Sequence, residues 1–119
     1  MKFTIIVNDA PYQSQSADTA CKFAHALLDE GHELTQVFFY FDGVWNALAD
    51  AEPPQDDRHV VDNWSKLALK NELELIVCST AAMRRGVSEP LAAGFRLDTL
   101  GRLTEAVTMS DRVITFGGS

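Results

Sequence analysis

Leu73-Glu74-Leu75-Ile76-Val77-Cys78-Ser79-Thr80-Ala81-Ala82-Met83-Arg84-Arg85-Gly86 decides the fold. Leu73–Cys78 reads as a β-strand. Ser79-Thr80 then caps a short helix through Arg85, and Gly86 stops it. Upstream, Val60–Lys70 places Val60, Val61, Trp64, Leu67 and Ala68 on one helical face. Before it come an acidic loop over residues 49–58 with Pro53-Pro54, a short helical segment Val44–Leu48, and the turn Asp42-Gly43. Leu34–Tyr40 is a strand. Ser16–Glu30 is the clearest helix, with Ala17, Ala20, Cys21, Ala24, Leu27 and Leu28 inward. Ser14 or Ser16 would cap it and Gly31 would end it. Lys2–Val7 is the first strand, apolar on both parities over Phe3–Val7 and so covered on both faces.

Downstream, Val87–Leu97 reads as irregular because of Pro90 and Gly94. Thr99–Met109 is a helix and Arg112–Phe116 a last strand. Strands alternating with helices predict a single α/β domain over residues 1–119. It has three α/β/α layers, flavodoxin-like, around a mainly parallel central sheet. In such sheets reactive groups gather at the carboxyl ends of the strands. Three places qualify: the loop after Val7, the segment after Tyr40, and Cys78.

The chain of 119 residues carries a net charge of −7. Residues 1–62 have a balance of −8 and residues 63–119 a balance of +1. An acidic whole argues against nucleic-acid binding, which needs clustered cations. The acidic half is a solvated surface or a face for docking proteins. No run approaches the roughly 20 apolar residues of a membrane span. The opening Met1–Asn8 turns polar too soon for a signal peptide, and the two cysteines form no CxxC pair. A cytosolic setting with reduced thiols is expected. His25, His32 and His59 have no ligand spacing, so no metal is expected, and surface or capping roles fit them. Residues 8–15 lack the glycine-rich cradle of a phosphate or flavin site.

Cys78 is the candidate for chemistry. It precedes a helix N-terminus, with Arg84 and Arg85 on the next turn as candidate support for an anion. Such surroundings raise the thiolate fraction of a cysteine. A buried, inert cysteine fits the same position. Cys21 lies on the apolar stripe of its helix and reads as a small core residue. Tyr12, Trp45 and Asn46 are candidates for a site rim or an interface, Tyr12 also for a loop anchor.

Taken together, several segments resemble one family. They are Met1–Val7, the run from Phe23 to Leu34, Val37–Tyr40, Asp42–Ala47, Trp64, Cys78 and Ala82–Val87. Gly94–Leu97, Leu100–Leu103 and Asp111–Phe116 complete the set. Over nearly its whole length the chain resembles the DsrE/TusD sulfur-carrier family. The resemblance implies a persulfide carried on Cys78 and no cofactor. It implies TusB-like and TusC-like partner subunits in a dimer of heterotrimers, a TusA-like donor and a TusE-like acceptor. The sulfur would end in 2-thiouridine at the tRNA wobble position, without direct contact with nucleic acid. Expressed alone, the chain could form a homo-oligomer. The stretch from Gly86 to Gly94 is shorter than the family's, which leaves open a DsrE-type protein of sulfur oxidation. A redox-sensing protein or a non-catalytic assembly subunit are the other readings.

Overall fold

A computed structural model describes residues 1–118. Five strands form one sheet: β1 (Lys2–Val7), β2 (Glu33–Phe39), β3 (Leu75–Cys78), β4 (Phe95–Asp98) and β5 (Arg112–Phe116). Their order is β4-β3-β2-β1-β5 and every pairing is parallel. The helices are α1 (Ser16–Asp29), α2 (Val60–Asn71), α3 (Ser79–Arg84) and α4 (Leu100–Met109). The chain steps from β1 to β4 in one direction, then returns to place β5 beside β1. Right-handed crossovers put helices of the outward steps on one face and the return helix on the other. Ring contacts agree: Phe3 meets Phe23 of α1, and Phe39 meets Trp64 of α2 edge-on at 5.1 Å. On the opposite face, the Thr4 hydroxyl donates to the Ala106 carbonyl of α4, and Gln36 lies beside Arg102. The expected α/β/α layering is present.

The core is built on β1, β2 and β3, where Ile5, Val7, Val37, Phe38, Phe39, Leu75, Ile76 and Val77 are fully buried. Covered on both faces, these strands read as continuous apolar runs. The edges differ. Val113 of β5 is exposed, and α4 buries only Ala106.

Three local readings are corrected. Phe95–Asp98, expected to be irregular, is a strand. It has only two apolar residues, too few to show a period. Pairing with β3 and the packing of Phe95 on Phe39 at 5.1 Å hold it. The expected turn and short helix after β2 are one 3-10 segment, Phe41–Ala47. Finally, Cys78 itself occupies the N-cap of α3, and Ser79 is the first helical residue. Gly31 and Gly86 follow their helices at φ +84° and +71°, the left-handed conformation that such stops require.

Candidate active site at the carboxyl end of the sheet

Cys78 ends β3 and caps α3, with only 4% of its surface exposed. It pairs in register with Asp98 of β4. Side chains alternate across a sheet, so Cys78 shares its face with Ile76 and with Phe38 of β2. That is the face of α4, away from α1 and α2. The Ser79 amide faces β4 and continues the β3–β4 ladder, while the amides of Thr80 and Ala81 open the helix and have no partner within it. No side chain caps them, so donors to an anion stand next to the thiol.

The 3-10 segment roofs this end of the sheet. The amide of Tyr40 donates to the Val7 carbonyl at 3.0 Å, joining β2 to the end of β1. Gly43 then passes so close that an added Cβ would lie 2.0 Å from that carbonyl oxygen. No other residue fits this crossing. Asn46 is fully buried, and its amide donates to the carbonyls of Asp9 and Gly43. It braces the roof from inside and presents nothing to a rim or an interface. Trp45 is half-buried against the core.

The two arginines part ways. The Arg85 guanidinium folds back along α3, donating to the Ala81 carbonyl at 3.1 Å and to Asp42 at 2.8 Å. It clasps α3 to the roof, with its charge already paired. Arg84 is exposed, with no ion pair among the described residues. Tyr12 stands apart, at φ +70°. Its hydroxyl donates to the Arg58 carbonyl and accepts from the Val60 amide, tying the loop after β1 to the start of α2. His59 caps α2 by accepting from the Asp62 amide, while His25 pairs with Asp29.

Two apolar rim residues were not singled out from the sequence. Phe41 is 49% exposed and stacks on Tyr40, with ring centroids 4.1 Å apart. Met83 of α3 is 79% exposed. Met83 was legible in principle: Ala81 and Ala82 fill the inner face of that short helix, so an apolar neighbour must point outward. Phe41 was not, because its φ of +48° turns it out of the strand's alternation.

The loop after Val7 lies where the chain reverses its direction of travel across the sheet, between β1 and β5. Such switch points often hold ligands. Here Gly117 and Gly118 lie over it. The Gly118 amide donates to Asp9, which also accepts from the Ser14 hydroxyl. Burial pushes the Asp9 carboxyl up, but the Gly118 amide and the Ser14 and Ser16 hydroxyls outweigh it and hold the group below its ordinary value.

Cys21 is partly buried on α1, on the opposite face of the sheet from Cys78. Burial, with a smaller push from Asp18, raises its thiol to about 12. Among the described residues no group of three or more His, Cys, Asp or Glu could hold a metal ion, and no helix is long and apolar enough to cross a membrane.

The chain is similar to known proteins over almost its whole length. Residues 1–116 match the model of the DsrE/DsrF-like family. A protein of Allochromatium vinosum, provisionally named sulfurtransferase DsrE, is 44% identical over 98% of this chain and 99% of its own. Sulfurtransferase TusD of Salmonella newport is 42% identical over 98% of this chain and 100% of its own. These alignments span 129 and 128 positions against a chain of 119, so the relatives carry extra residues. The crystal structure of the ychN protein from E. coli superposes with a TM-score of 0.87 at 27% identity, covering 98% of this chain and 99% of that one.

Proposed function

This chain belongs to the DsrE/DsrF-like family and is a sulfurtransferase component, and we propose that its working group is the Cys78 thiol. In this reading residues 1–119 form one carrier domain that takes up sulfur as a persulfide. The Cys78 thiolate attacks the outer sulfur of a donor persulfide. A new S–S bond forms, the donor's own S–S bond breaks, and the donor leaves as a thiolate. No net oxidation occurs. The outer sulfur of the Cys78 persulfide is then attacked by the thiolate of the next protein, which restores Cys78. The observation that carries this reading is the position of the thiol at the N-cap of α3. The amides of Thr80 and Ala81 can donate to the anion on either side of the transfer. Among the described residues Arg84 has no ion pair, whereas Arg85 serves the roof.

The second cysteine supports a carrier over a disulfide sensor. A sensor needs a resolving thiol beside the first. Cys21 sits across the sheet and holds its proton up to about pH 12.

The relay we infer runs from a TusA-like donor to a TusE-like acceptor, with TusB-like and TusC-like subunits alongside, in the cytoplasm. Its end product would be 2-thiouridine in tRNA. Phe41 and Met83 offer apolar rim surface for such protein contacts, and the net charge of −7 suits passing sulfur to proteins without touching tRNA. The 44% identity to the Allochromatium vinosum protein supports a second acceptor, in sulfur trafficking outside tRNA.

Intact-mass spectrometry tests the carrier. The protein is incubated with a cysteine desulfurase, cysteine and a TusA-like carrier. One added sulfur on the wild type, removed by reductant and missing from Cys78→Ser, is the expected result. Equal loading of Cys78→Ser would overturn the assignment. So would no loading even with the partner subunits present. Transfer from the loaded protein to a TusE-like protein, or to none but a sulfur-oxidation acceptor, separates the two end uses.

A further inference from the structure

An open cleft of about 400 Å³ separates α1 from α2. The α1 wall is Asp18, Cys21, Lys22 and His25, and the α2 wall is Asn63, Lys66, Leu67 and Lys70. Each set is spaced i, i+3, i+4, i+7, so each is one continuous helix face. The two faces confront each other with lysines on both. Arg58 and Val60 close one end.

Charge makes the cleft unusual for this chain. Three of the four lysines of the protein line it, together with Arg58. Some of this charge is already matched. Arg58 is bound to Asp18 and Asp57, and Lys66 pairs with Asp62 at 2.9 Å. Lys22 and Lys70 have no ion pair among the described residues, and both are exposed. The acidic protein thus bears a cationic cleft with two uncommitted ammonium groups. Its floor is apolar: Val60 and Leu67 are buried, and Cys21 stays neutral because its thiol is held at about 12. Like charges facing across a gap repel, and a bound anion relieves that repulsion. The volume falls within the range of small-molecule sites.

We propose that the α1/α2 cleft binds a small organic anion, an apolar body carrying one carboxylate or phosphate, with the body on Cys21, Val60 and Leu67 and the anionic group between Lys22 and Lys70. The site is separate from the sulfur chemistry, since Cys78 lies on the opposite face of the sheet. The positive lining selects for the anion, and the apolar floor selects against inorganic phosphate.

Titration followed by amide NMR shifts provides the test, with 2-naphthoate, 2-naphthyl phosphate, neutral 2-naphthylmethanol and inorganic phosphate as probes. Shifts confined to α1 and α2 are expected for the first two probes. Affinity should be at least tenfold weaker for naphthylmethanol and for inorganic phosphate. The naphthoate-to-phosphate ratio identifies which anionic group the cleft prefers. The double variant Lys22→Gln/Lys70→Gln should weaken both organic anions at least tenfold and leave sulfur loading of Cys78 unchanged. Both lysines are exposed, so the variant keeps its fold, and an unchanged amide spectrum without probe confirms it. Equal binding of naphthylmethanol, undiminished binding by the double variant, or no shifts at millimolar probe would each overturn the proposal.

Discussion

The two cysteines of this protein share a residue type and little else. Cys21 sits in the middle of a helix, where every neighbouring amide is spent on an intrahelical bond and burial favours the neutral thiol. Cys78 sits where a strand ends and a helix begins, so the Thr80 and Ala81 amides beyond it have no partner within the helix. Cys21 is the more exposed of the two, yet burial raises its thiol to about 12. Exposure alone therefore does not make a thiol reactive. In the proposed reading, the backbone donors around Cys78 and the charge beside it decide.

The largest effect expected from this contrast is all-or-none. Cys78→Ser should abolish sulfur uptake, while Cys21→Ser should load fully, both read by intact mass. Loading that follows Cys21 would reverse the comparison. Next comes alkylation. With its thiol at about 12, Cys21 should react with iodoacetamide at pH 7 roughly 10³-fold more slowly than an unperturbed cysteine. Peptide mapping over time measures this, and a rate typical of a free thiol would show that burial does not hold the proton.

The roof over Cys78 gives the third prediction. Gly43→Ala would drive a Cβ into the Val7 carbonyl, so it should cost about 3 kcal/mol in urea unfolding. A change below about 1 kcal/mol would mean that the roof is loosely held. Arg85→Gln is milder because its clasp to Asp42 is partly solvated. A loss of about 1 kcal/mol is expected, together with faster alkylation of Cys78 as α3 is freed from the roof. Slower alkylation would instead make Arg85 a direct support of the anion.

The smallest effect lies at alkaline pH. The folded Cys21 thiol ionises at about 12, above the ordinary value it regains on unfolding. The folded state therefore keeps its proton longer. The stabilisation this gives is complete below the unfolded value near pH 9.0 and is lost as pH rises through about 12. Urea midpoints should fall across that window, and Cys21→Ala should flatten the decline. An identical slope in the variant would place the alkaline loss elsewhere.

The sequence by itself determined the long elements and the layering, and it made Cys78 the candidate thiol. Periodicity over ten or more residues, and strands apolar on both parities, leave few alternatives, because burying those faces dominates folding. It also showed that Cys78 stands at a strand-to-helix junction. Only the tertiary structure decided what surrounds that junction. β4 exists through its pairing with β3, since Phe95 and Leu97 carry too little pattern to declare a strand. Arg85 turned to Asp42, Asn46 turned inward to the Asp9 carbonyl, and Tyr12 reached the start of α2 across 46 and 48 residues of chain. The lysines of α1 and α2 met only because two crossovers laid their helices side by side. Such contacts join residues far apart in the chain. Spacing within one element cannot encode them, and only the packing of whole elements brings them together.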